Sequence, residues 1–193
     1  KIGHAGTLDP LATGMLIVCI GKETKSIERY QASEKEYTGT FVLGATTPCF
    51  DMEKPIDATF PIKHITEKLI IDTASTFVGE IEQVPPIFSA VKINGKRAFD
   101  YARNQEEVEI KAKKIFIKTF EITRVELPEV DFRIECSKGT YIRSISRDFG
   151  KALNSGAYLS RLCRERIGNF SLNNAIEIEE VSDYLTNTLE EVK

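Results

Sequence analysis

At 193 residues the chain can bury one sizeable core, so one domain spanning 1–193 is the expectation. With 41% hydrophobic and 28% charged residues it has the composition of a soluble protein; its longest apolar run, Met15 to Ile20, is too short to span a bilayer, and no signal-peptide pattern opens it. Cysteines 19, 49, 136 and 163 form no CxxC pair and neither His4 nor His64 adjoins one, which argues against a metal site or disulfide framework and for a cytoplasmic setting, while a net charge of −3 taken alone argues against a nucleic-acid partner.

The chain opens on Gly3-His4-Ala5-Gly6-Thr7-Leu8-Asp9-Pro10-Leu11-Ala12-Thr13-Gly14, with Lys1 and Ile2 leaving no room for a strand before it. Glycines and a proline make this a loop rather than a helix or strand. Pro10 pushes Asp9 into extended backbone, so one carboxylate is aimed from a tight loop, either at a ligand or at its neighbours' amides. Met15 to Ile20 reads as a fully buried strand closed by Gly21.

Glu23 to Gln31 reads as a short helix, Glu36 to Leu43 as a strand rich in β-formers, Thr46 to Pro61 as a loop, and Thr66 to Phe77 as an amphipathic helix. Gln83 to Lys92, with Pro85-Pro86, is extended; Asn94-Gly95 signals a turn and Arg97 to Asn104 a short helix. Glu107 to Leu127 alternates over two strand-length pieces, with Ile115, Ile117, Phe120 and Ile122 facing inward. Asp131 to Cys136 returns antiparallel. Thr140 to Leu153 is a helix with Ile142, Ile145, Phe149 and Leu153 on one stripe, Tyr158 to Ile167 a strand, and Ile178 to Val192 an acidic amphipathic helix. The expected class is α+β: a central mixed, mostly antiparallel sheet with flanking helices.

Charge is unevenly placed. Lys138, Arg143, Arg147, Lys151, Arg161, Arg164 and Arg166 face only Asp148 and Glu165 in their stretch, and 92–118 is also basic, whereas the C-terminal end is acidic. Such a distribution allows either a nucleic-acid face or ordinary solvated surfaces. Tyr37 can be half-buried packing or a ring for stacking on a base, and Cys136-Ser137-Lys138-Gly139-Thr140-Tyr141-Ile142-Arg143 joins a strand end, a glycine turn and a helix start.

The run GHAGTLDPLATG resembles the catalytic motif of the TruB family, the tRNA pseudouridine-55 synthases; Lys35-Glu36-Tyr37, QVPPIFSAVKINGKRAFDYAR and CSKGTYIRS resemble further family segments in the same order, over about positions 1 to 172. The resemblance implies the pseudouridine synthase fold and isomerisation of uridine 55 in the T-loop of tRNA, without cofactor or metal. It makes Asp9 the catalytic acid, Arg143 its partner, and Tyr37 a residue that stacks on uracil and exchanges a proton with it. Tyr141 and Leu162 would line the base pocket, His4 would fill the gap left by the extruded base, and Gly6, Thr7, Lys92 and Arg164 would bind RNA. A two-bonded guanidinium grip orients a carboxylate and favours its ionised form. The family's Lys-Pro-x-Gly-x-Thr-Ser segment and PUA-like module are not in this sequence, so an N-terminally shortened catalytic domain is expected, acting as a monomer on the tRNA T-arm with no obligatory protein partner and no membrane. Two rivals remain, a non-catalytic RNA-binding or remodelling domain of the same fold and a carboxylate hydrolase; the latter needs a second acid that no motif supplies.

Overall fold

A computed structural model describes residues 1–89, 91–93, 95–104 and 108–191 (for 92, 102–103 and 187–191, the backbone alone). The strands are β1 (Ile2–His4), β2 (Thr13–Gly14), β3 (Val18–Ile20), β4 (Lys35–Leu43), β5 (Ala45–Thr46), β6 (Ala58–Thr59), β7 (Gly79–Gln83), β8 (Lys92–Ile93), β9 (Lys96–Arg97), β10 (Lys113–Glu126), β11 (Glu129–Cys136), β12 (Ala157–Ile167) and β13 (Phe170–Ser171). The helices are α1 (Ile27–Ala32), α2 (Glu67–Ser75), α3 (Ala98–Arg103), α4 (Ile142–Ala152) and α5 (Val181–Glu191).

One sheet in the order β13-β12-β4-β11-β10-β7 organises the chain, and β2 joins it beside β12. Neighbours along that path run antiparallel, while β2 pairs parallel with β12 and Asp51 makes an isolated parallel bridge to Leu159. The α+β class with a mixed, mostly antiparallel sheet is therefore the architecture found. Alternation divides the sheet's two faces. Phe41, Val130, Phe132, Ile134, Ile117 and Leu159 point to one side, where α2 and α4 cover them. There Phe41 stacks on Phe132 with centroids 4.1 Å apart, and Phe149 of α4 packs 5.6 Å from Phe41. Each such buried side chain contributes about 1.5–3 kcal/mol. The opposite face carries charge: Arg124 grips Asp131, Arg166 reaches Glu36 and Glu135, and Arg133 meets Glu36.

α4 lies close on β12. A Cβ on Gly150 would stand 2.3 Å from the Ala157 amide nitrogen, so a larger residue would push the helix off the sheet. Its stripe is the expected one, Ile142, Ile145, Phe149 and Leu153 all being buried. Arg143, Ser144 and Ser146 are buried as well, because the segment after β7 runs along the helix's other side, where Ser144 Oγ and Arg147 Nη2 both donate to the Val84 carbonyl.

Several expectations are corrected. Met15 to Ile20 is not buried throughout: among the described residues β3 pairs only with β1, and that two-stranded ribbon turns Met15 and Cys19 inward while Leu16, Val18 and Ile20 are exposed. Ile2 does enter a strand, β1. Glu23 to Gln31 is split into a 3₁₀ segment, Gly21–Ser26, and α1. β10 is one long strand bent by register shifts rather than two pieces, and β7 is a strand that its polar residues concealed. Asn94, Glu107 and Val192, with the Lys92 side chain, lie outside the described residues.

Candidate active site

The opening loop is held to the sheet from its far end. β2 lies beside β12 so closely that a Cβ on Gly14, at φ +99°, would sit 2.5 Å from the Arg164 backbone. Arg164 is 2% exposed; its Nε donates to the Met15 carbonyl at 2.8 Å and its Nη2 to the Gly6 carbonyl at 3.0 Å. One guanidinium thus ties both ends of the loop. Arg164 therefore shapes the loop itself, its Nε and Nη2 being turned into it. Between the tied ends the Ala12 amide donates to the Asp9 carbonyl, a turn that leaves the Asp9 side chain partly exposed.

Arg143 meets Asp9 there. Its Nε donates to Asp9 Oδ2 at 2.9 Å and its Nη2 to Oδ1 at 2.7 Å, the two-bonded grip expected between residues 134 positions apart. The Arg143 side chain is 5% exposed, and its remaining contacts are also acceptors: the Phe88 carbonyl at 3.1 Å and Asp51 Oδ2 at 3.5 Å. Asp51 was not among the residues expected from sequence. It lies in a stretch that composition marks only as polar loop, and no periodicity or charge run distinguishes it.

The loop that presents Asp51 is tightly built. Thr47 Oγ1 and Cys49 Sγ both donate to the Asp51 carbonyl, and the Glu53 amide donates to Asp51 Oδ1. Phe50, immediately before it, sits at φ +67°, a conformation that costs a bulky residue on the order of 1–3 kcal/mol. Its carbonyl accepts from the Leu159 amide, and the Arg147 guanidinium lies 5.0 Å above its ring. Sheet and helix together therefore hold the strained residue that aims Asp51 at Arg143.

Tyr37 is placed by Lys35. That lysine is buried, and its Nζ donates to the Gln31 and Ser33 carbonyls at the end of α1, fixing where β4 begins. Burial lowers the Lys35 pKa. Two residues on, Tyr37 shares the core face of β4, and burial pushes its hydroxyl up to about 12, with Arg164 pulling the other way. The group is therefore a protonated donor throughout the neutral range. Burial also raises the Tyr141 hydroxyl, opposed by Ser89 and Arg143, and pushes the Cys136 thiol up to about 12, which leaves that sulfur unreactive.

Asp9, Leu11, Ala12, Asp51, Leu159 and Leu162 border a cleft whose enclosed space is about 10 Å³, room for one water. Leu162, the apolar residue that the resemblance places in a base pocket, borders this cleft. His4 and Thr7 are exposed along the loop, and Gly6 contributes its carbonyl to Arg164. Lys92 has its backbone in β8.

Residues 1–142 match the family described as TruB family pseudouridylate synthase (N terminal domain), and the chain belongs to that family. It is 59% identical over 178 residues to the tRNA pseudouridine synthase B of Flavobacterium johnsoniae, covering 92% of this chain and 78% of that protein. It is 42% identical over 191 residues to the protein of that name from Chloroherpeton thalassium, covering 98% and 79%. Among solved structures, a chain of a Cbf5-Nop10-Gar1 complex superposes with a TM-score of 0.74 at 29% identity, over all of this chain and 48% of that one. This chain thus spans about half the length of that structural relative.

Proposed function

We propose that the chain converts uridine 55 in the tRNA T-loop to pseudouridine: uracil leaves C1′ of its ribose, turns, and rejoins through C5, with no net change of atoms. The bidentate Asp9–Arg143 pair at the mouth of a cleft carries this reading, within a family of pseudouridylate synthases. Attack at C1′, addition at C6 of the base and proton abstraction at C2′ each use a carboxylate held as Asp9 is. The nucleotide must leave the stack to reach it. Leu162 then packs against the base, Tyr37 and Tyr141 supply rings and hydroxyls, and His4 and Thr7 meet the RNA around it.

Incubating the purified chain alone with an unmodified tRNA transcript and mapping pseudouridine tests this. One new pseudouridine at position 55 is expected, and a T-stem-loop hairpin should be converted within about tenfold of the whole tRNA, because folded-loop shape and splayed bases carry recognition. Tight tRNA binding without product would favour the RNA-binding reading, and strict dependence on another arm would remove the T-arm assignment.

Tyr37→Phe keeps the ring and loses the hydroxyl. Because that hydroxyl is a donor at neutral pH, its loss is expected to slow a proton-transfer step by roughly 10²-fold while RNA binding is retained. The wild-type rate should not climb between pH 7 and 9 through ionisation of Tyr37, which lies higher. Full turnover by Tyr37→Phe would assign the residue to stacking alone.

A further inference from the structure

Gln83 ends β7 with 2% of its surface exposed, and its amide takes both main-chain groups of one residue. The Tyr141 amide donates to Gln83 Oε1 at 2.8 Å, and Gln83 Nε2 donates to the Tyr141 carbonyl at 3.1 Å. Tyr141 is the extended residue from which α4 starts, and among the described residues no side-chain cap is present at that helix end. A helix commonly satisfies its leading amide with a glutamine or glutamate three positions inside its own first turn. Here the same bond comes from another strand, 58 positions away in sequence. The Tyr141 carbonyl also accepts from the Ile145 amide at 3.1 Å, so Gln83 grips the first hydrogen-bonded turn itself.

We propose that Gln83 is a positioning residue for the isomerisation: its two bonds to Tyr141 fix where α4 begins, and so how Arg143 is presented to Asp9. Arg143 lies two residues beyond Tyr141, and moving the helix start by one residue would swing its side chain by about 100°. The grip on Asp9 tolerates no such swing, since both of its bonds are 2.9 Å or shorter. The neighbouring bonds from Ser144 and Arg147 to Val84 hold the strand's continuation but leave the amide of Tyr141 to Gln83. Only the link to the chemistry rests on the pseudouridine synthase reading; the clamp itself does not.

The test is a pH series on the full chain carrying Gln83→Glu or Gln83→Met, with single-turnover pseudouridine formation, tRNA Kd and hydrogen exchange at the Tyr141 amide measured beside wild type. As a carboxylate, Glu at 83 accepts from the Tyr141 amide but faces its carbonyl with a second acceptor; once protonated it regains the missing donor. Relative to wild type at the same pH, Gln83→Glu is expected to be slower by at least about tenfold at pH 8 and to recover most of that as pH falls toward about 5.5, with Kd within about threefold throughout. Gln83→Met should stay slow at every pH and lose protection at the Tyr141 amide. Wild-type rates for both variants, or a Gln83→Glu deficit that does not change with pH in a folded protein, would overturn the proposal. Wild type without product would instead overturn the assigned reaction, and unchanged Tyr141 protection in Gln83→Met would then overturn the clamp separately.

Discussion

Asp9→Asn is expected to lower single-turnover pseudouridine formation by about 10⁴-fold or more, while tRNA Kd stays within about threefold. Asparagine is nearly isosteric, and its carbonyl oxygen can still accept from Arg143, so the loop should keep its shape. The amide cannot serve as nucleophile or base, however, and every route open to the acid needs one or the other. Stability should change little, because the Asp9 side chain is 36% exposed and the loop is tied by Arg164 through main-chain carbonyls. Turnover within tenfold of wild type would remove Asp9 from the chemistry. A large loss of tRNA affinity would mean that the carboxylate shapes the RNA site instead.

Arg143 should respond in two separable ways. Arg143→Lys keeps a positive charge but cannot make two parallel bonds, and a misplaced carboxylate should slow turnover on the order of 10²-fold with the fold intact. Arg143→Met also abandons Asp51, which is 4% exposed and borders space for one water at most, so its loss should add about 3–5 kcal/mol of destabilisation in urea unfolding. Adding Asp9→Asn to Arg143→Lys should cost little further rate, because orientation is irrelevant without the acid. Two losses that simply multiply would show that Arg143 and Asp9 act apart.

What the sequence disclosed and what it hid follow from the same physics. The Asp9–Arg143 pairing was legible through the resemblance of the two motifs that carry its ends to a known family, whereas composition and spacing alone left Asp9 a turn residue and Arg143 a surface one. The α4 stripe was legible because Ile142, Ile145, Phe149 and Leu153 recur at helical spacing. Arg164 reaches the buried side by plain alternation, since it pairs with Tyr37 as Leu162 pairs with Gly39, and the register shifts of β12 fall outside that interval. What alternation does not disclose is that its donors go to the main-chain carbonyls of Gly6 and Met15, far back in the chain. Asp51 and Gln83 are polar residues whose partners are distant in sequence and partly main chain. Hydrophobic patterning does not register such contacts, and neither residue lies in a run of charge. The outward face of β3 was missed for a simpler reason: an unbroken apolar run looks the same whether one side of it is covered or both.

The tie made by Arg164 bears on how the protein matures on the ribosome. The carbonyls it binds belong to Gly6 and Met15, made 158 and 149 residues earlier. At 5–20 residues per second that interval is roughly 8–30 s, during which the emerging loop has no anchor and its acid no partner. The central strands, β4 with β10 and β11, can pair and shelter Phe41 and Phe132 before then. Asp9 gains its partner and its loop gains its anchor late and almost together, when α4 and β12 leave the exit tunnel within a few residues of each other.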